Sequence, residues 1–299
     1  MTETTQTSTA ATEAAEKTYS PTALAWLRLR RNKLAMIALV VLLLLVAISF
    51  FGPLLYPISP DKVDPRSFRM PPSAEHWLGT DSAGRDVLAR LMAGGRISLT
   101  IGLSAAIIAT AIGLTLGVIS GYFRGVVDSV LTRIAEVIQS FPILIVIIVV
   151  VAFLGPSLML LVISLGLLQW TSAFRVTRGV TLSLREQDSI QAVEGLGGRT
   201  PHILFRHMMP AVLPHAAVSF TILTAGVVMT ETGLSFLGLG VPPPTPTWGS
   251  MIAEAQSLRI LEEMWWMWLP PGLAIAITVM AVNFVGDGLR DAVDPRQSR

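Results

Sequence analysis

The chain has 299 residues, 52% of them apolar and only 14% charged, where an ordinary soluble domain carries roughly a quarter. A formal charge of +2, with no basic tract interleaved with aromatics, gives no footing to nucleic-acid binding. The absence of cysteine removes disulfides, thiolate metal sites and cysteine nucleophiles.

Residues 1–20 are rich in Thr, Ala and Glu and are expected to form a disordered cytoplasmic tail. The segment 21–60 combines a basic helix (Arg28, Arg30, Arg31, Lys33) with 27 uncharged residues between Lys33 and Asp61. About 20 helical residues at about 1.5 Å each cross a hydrocarbon core, so this run suffices for a first span. It is too long for a typical signal-peptide core, and no A-x-A-like site follows it.

An external loop is expected over 61–96, and the main membrane core over 97–290. The stretch Ile97 to Phe123 is again 27 uncharged residues, with Gly113, Gly117 and Gly121 at four-residue spacing on one helix face. In lipid such a stripe lets two helix backbones approach closely. Val137 to Phe174 is uncharged over 38 residues, too long for one span, and Gly155-Pro156-Ser157 divides it. Two helices are expected there, the first starting earlier, near Val126. Met208 to Thr230 supplies a fifth span and Met264 to Gly286 a sixth, with Trp265, Trp266 and Trp268 as an interfacial aromatic anchor.

The fold class is therefore all-α, a polytopic membrane protein of about six spans. Six spans put both termini on one side, and the basic cluster before the first makes that side the cytoplasm. The loop Arg175 to Arg206 then faces the cytoplasm with five arginines against three acids, as does the tail 291–299. Glu231 to Glu263 lies outside with four acids and one arginine.

Catalytic motifs are missing. There is no G-x-x-x-x-G-K-[ST] phosphate loop, no G-x-S-x-G elbow and no H-E-x-x-H pair, so no catalytic, cofactor-binding or metal residue is assigned. An ion-driven transporter of another class would usually place a carboxylate at mid-membrane, and none of the six spans has a central Asp or Glu.

One cytoplasmic loop, 184–207, has a different character. Ile190, Val193 and Leu196 recur every three residues as an apolar face, while Gln187, Gln191 and Glu194 occupy the other. Gly197-Gly198 can end that helix by a left-handed turn. Thr200-Pro201 fits the start of the next, with Thr200 as cap. The segment is either a helix resting on lipid or a docking peg for a cytosolic partner.

Here the sequence resembles the coupling loop of binding-protein-dependent ABC importer permeases. The family pattern is Glu-Ala-Ala, three residues, Gly, nine residues, then Ile-x-Leu-Pro. This chain has Gln191-Ala192-Val193, Gly197 and Pro210 in those places; the first alanine, the glycine and the proline match. Further stretches resemble the C-type permease of the dipeptide, oligopeptide and nickel branch. They are LRLRRNKLAMIALV, HWLGTDSAGRDVLARLMAGGRISLTIGL, ISGYFRGVVDSVLTRIAEVIQSFPILI, ETGLSFLGLGVPPPTPTWGSMI and NFVGDGLRDAVDPR.

The resemblance implies a type I importer fold in a bacterial cytoplasmic membrane. It implies a second permease subunit as heterodimer partner, one or two cytosolic ATPase subunits and an extracytoplasmic solute-binding protein. Short peptides are the implied cargo, with nickel, glutathione or another small solute as alternatives. Pro242-Pro243-Pro244 and Pro246 stiffen the last external loop, which would hold Trp248 at the outer rim. That loop and Trp77 of the first external loop are the expected platform for the binding protein. Asp128, Arg133 and Glu136 lie near the inner end of the third span, where Arg133 and Glu136 can pair on one helix face.

Overall fold

The protein is described by a computed structural model covering residues 27–293. The expected tail 1–20 lies outside the described residues, as do 21–26 and 294–299. After a helical stretch at 27–31, Asn32 breaks the chain and caps α1 (Lys33–Leu55), its side chain accepting from the Ala35 amide at 3.1 Å. Leu34, Ile37, Leu43, Leu44, Phe51 and Leu54 point outward from α1 in the manner of a lipid-facing helix, and only Ala35, Ala38 and Ser49 are buried.

An irregular segment of turns leads to α2 (Val87–Phe123), whose first amide turn is capped by Asp86. At about 1.5 Å per residue, 37 residues exceed the hydrocarbon thickness, so one end of α2 stands clear of it. The expected third span proves to be two helices, α3 (Gly125–Ser140) and α4 (Ile143–Leu154), bent by 79°. Pro142 is the cause. It has no amide to donate, and its ring holds Phe141 in the extended region at φ −98° and ψ 135°. The six expected spans are thus five long apolar helices plus this broken pair.

Gly155 ends α4 with φ +79°, and Ser157 caps α5 (Leu158–Arg185). A short helix α6 (Asp188–Gly195), one turn α7 (Thr200–Ile203) and a π-helical turn at Leu204–Met208 lead into α8 (Met209–Phe236). Helix α8 runs six residues beyond the expected end at Thr230, which brings Glu231 inside the bundle. Two short helices, α9 (Trp248–Ala253) and α10 (Leu258–Glu263), precede α11 (Trp265–Val293). Of the expected tryptophan anchor, Trp266 is buried under the first irregular segment and donates to the Thr80 carbonyl at 3.3 Å, whereas Trp265 is exposed.

Packing centres on α2 against α5, with α8 and α11 closing the bundle. Gly113, Gly117 and Gly121 all face α5. A Cβ on Gly113 would stand 2.6 Å from the Ala173 Cβ, and one on Gly121 2.7 Å from the Thr181 Cβ. The Thr177 hydroxyl donates across this seam to the Gly113 carbonyl at 2.9 Å, a contact that only close backbones allow. Ile101, Ala105, Ile147, Leu161, Leu165 and Val227 fill the centre.

Candidate functional site

Two ends of the bundle carry the candidate residues, and α8 runs between them. At one end the chain reverses after α6 and leads back into α8. Gln187 caps the helix through its extended backbone, with Asp188 in the first turn where the helix dipole favours negative charge. Leu196 is the C-terminal cap. Gly197 then takes φ +81°, its amide bonding the Glu194 carbonyl at 3.0 Å, while the Gly198 amide bonds the Val193 carbonyl at 2.9 Å. These two bonds form a Schellman closure, which requires a left-handed residue at Gly197. The next helix begins one residue earlier than expected: Arg199, not Thr200, is the capping residue, and its side chain makes no capping bond.

The apolar face of α6 is divided. Ile190 is buried and Val193 half-buried against Val118, Tyr122, Ile203, Met208 and Val212, so these two hold the helix to its own bundle. Leu196 does not share that face and is 89% exposed. Gln187, Gln191 and Ala192 are also exposed and Glu194 half-buried, so the outward surface is polar with one apolar tip. Pro210 is exposed in the first turn of α8, directly after the π-helical turn. Arg185 braces the base of the loop, donating to the Tyr122 carbonyl and lying over the Tyr122 ring at 5.0 Å.

On the flank of the bundle, Arg133 and Glu136 pair at 2.9 Å on the exposed surface of α3. Asp128 takes no part in that pair. It accepts from Arg178 of α5 at 2.6 Å and from the Ser120 hydroxyl, joining three helices.

At the opposite end Trp77 is 65% exposed and packs on Tyr56 at 5.6 Å between ring centres. The Tyr56 hydroxyl donates to Asp86 Oδ2 at 3.0 Å, and His76 Nδ1 lies 2.8 Å from the same oxygen. Burial, then the bond to the Asp86 carboxylate, pushes the Tyr56 hydroxyl up to about 12. Pro243 is exposed on the proline-rich loop. Trp248 is not at the rim: it is only 1% exposed, since its indole enters the gap left by Gly95. It anchors the loop from within.

Sequence reasoning also missed Glu231, placed outside by the expected end of the fifth span. It is fully buried, accepting from Ser235 at 2.6 Å and from Ser98 at 3.3 Å. Among the described residues no group of three or more His, Asp or Glu side chains could hold a metal ion.

Comparison with known proteins matches residues 113–299 to the family "binding-protein-dependent transport system inner membrane component". Residues 20–72 match the N-terminal transmembrane domain of oligopeptide transport permease C. The chain is 40% identical over 269 residues to a Brucella suis protein provisionally named a peptide permease, covering 90% of this chain and 89% of that one. It is 38% identical over 275 residues to the dipeptide transport system permease protein of Bacillus subtilis, covering 92% and 86%. Over 272 residues it is 38% identical to the glutathione transport system permease protein of Pectobacterium atrosepticum, covering 91% and 90%.

Proposed function

Since the chain belongs to the family of binding-protein-dependent transport system inner membrane components, we propose that it is the non-catalytic membrane subunit of a peptide importer. It would pair with a second permease subunit, bind cytosolic ATPases on one side and receive a solute-binding protein on the other. The observation that carries this reading is the anchored, outward-facing α6. Ile190 and Val193 fix the helix to the bundle, leaving Gln187, Gln191, Ala192 and Leu196 free to meet a partner.

A helix fixed at its base transmits force. When the ATPases close on ATP, the docked α6 would move with them and carry α5 and α8 by their shared contacts. The paired permease bundles then alternate between outward and inward access. Chemistry at the γ-phosphate stays with the ATPases, and this chain supplies a coupled path.

Short peptides are the proposed cargo because curated relatives at 38–40% identity are named for peptides, dipeptides and, in one case, glutathione, itself a tripeptide. Reconstitution of the whole complex with its binding protein tests this. ATP-dependent uptake of α-linked di- or tripeptides is expected, and uptake of glutathione without any α-linked peptide, or of nickel alone, would replace the general peptide assignment.

The proposed orientation puts α6 in the cytoplasm. Because the chain has no cysteine, Arg199→Cys offers a single probe. It should resist an impermeant maleimide in intact cells and react in inverted vesicles; labelling from outside would reverse the topology.

A further inference from the structure

The two segments proposed as the binding-protein platform meet around a cavity of 360 Å³, lined in part by Ser82, Arg85, Arg90, Pro243, Thr245 and Glu254. Its floor is an ion-pair cluster. Arg85 donates to Asp81 Oδ2 at 2.7 Å and to Glu254 Oε1 and Oε2 at 2.8 and 3.0 Å. Arg90 donates through Nη2 to Glu254 Oε1 at 2.9 Å.

The remainder of the Arg90 guanidinium is not satisfied. Its side chain is 2% exposed, and Nη1 has no hydrogen-bond partner. Nε lies 3.3 Å from Asp81 Oδ2 without the alignment a hydrogen bond needs. A buried cationic donor left without an acceptor is costly, so a guest that brings one is favoured. A carboxylate oxygen is the natural acceptor, because a charge-assisted bond to guanidinium is the strong form.

Two guanidiniums and two carboxylates leave the cluster formally neutral. A neutral site draws few free anions from solution by long-range field. A carboxylate carried on the surface of a docked protein arrives at high effective concentration without that field. The proline-stiffened wall at Pro243 also reduces the ordering cost of receiving it.

We infer that this cavity receives an Asp or Glu side chain of the solute-binding protein, one carboxylate oxygen accepting from Arg90 Nη1. The inference rests on the importer reading above and names the contact by which the platform would recognise its partner.

The test uses the full complex in nanodiscs with its binding protein. Glu254→Gln removes one negative charge from the cluster with little change of shape. Docking should tighten at least about threefold and become more salt-sensitive. Arg90→Lys removes Nη1 and should weaken docking about tenfold. A purely structural clamp predicts the same sign, or no effect, for both, and that result overturns the inference. Ser82→Cys supplies the second readout, independent of whether Arg90→Lys assembles. Its maleimide reaction should slow at saturating binding protein and remain unchanged in acetate at matched ionic strength. Unslowed reaction under demonstrated docking, or protection by acetate alone, overturns the inference while leaving the importer reading intact. Failure of the unaltered complex to bind its binding protein sinks the importer reading instead.

Discussion

The indole of Trp248 donates to the carbonyl of Leu91 at 3.0 Å, and the Trp248 amide bonds the Ser98 hydroxyl at 3.2 Å on the same helix. The loop after α8 is thereby pinned to α2 by a side chain and a backbone group at once. Trp248→Ala should cost about 3–5 kcal/mol, the lost burial of the indole together with the cavity it leaves. Trp248→Phe, which keeps much of the volume but loses the bond, should cost about 1–2 kcal/mol. Thermal unfolding of the purified protein checks the order; equal melting temperatures for both variants and parent would show that the loop is held by other contacts.

Gly117 faces α5 beside the Phe174 carbonyl, 2.9 Å from where a Cβ would stand. The Thr177 hydroxyl, which stands nearer still, could rotate aside, but the Phe174 carbonyl and the Arg178 amide nitrogen, also at 2.9 Å, are backbone and cannot. Gly117→Leu should force α2 and α5 apart and lower the yield of folded protein several-fold. Measurement by size-exclusion profile in mild detergent decides it, since an unchanged profile would mean that the seam tolerates separation.

Gly197 has no atom within 4 Å of a built Cβ, so substitution there meets strain of backbone and not of space. Gly197→Val should cost about 1–2 kcal/mol locally and open the Schellman closure, while Gly197→Asn should be tolerated. In reconstituted complexes the valine variant is expected to lose substrate-stimulated ATPase activity yet remain in the membrane. Full stimulation in that variant would remove α6 from the coupling path.

Tyr56 holds its proton more tightly in the folded state, with its pKa pushed up to about 12 from an ordinary value near 10. The stabilisation is complete below about pH 10 and is lost as pH rises from there through about 12. The melting temperature should therefore decline over that window, and Tyr56→Phe should flatten the decline while lowering the plateau. An identical alkaline profile in the variant would assign the decline to other groups.

The spans were legible because lipid demands long uncharged runs, and Gly155-Pro156-Ser157 marks where one such run divides. The turn at Gly197 was legible for a similar reason, since few residues reverse a helix so sharply. The break at Pro142 was missed because a hydropathy profile runs straight through a single proline, and the 79° angle it takes is visible only in three dimensions. The faces of α6 were misjudged because a three-residue apolar period looks the same whether the helix packs on its own bundle or on another protein. Ile190 went inward and Leu196, beyond the last turn, went out. Glu231 was hidden by its own charge: a carboxylate ends an uncharged stretch, while its hydroxyl partners Ser98 and Ser235 become visible only in three dimensions.

From Thr200 to Phe236 the chain is helical for 37 residues, about 55 Å from end to end. Its first turns contain the π-helical insertion, Pro210 and Pro214, all of which weaken the backbone ladder; beyond them no proline interrupts α8 up to Phe236. The compliance of this beam is therefore gathered at the end beside α6, and its far end, clamped through Glu231 to Ser98, behaves as the stiff arm. A beam with one soft end acts like a tool with a sprung handle: small misfits at the grip are absorbed locally, and only sustained displacement reaches the tip.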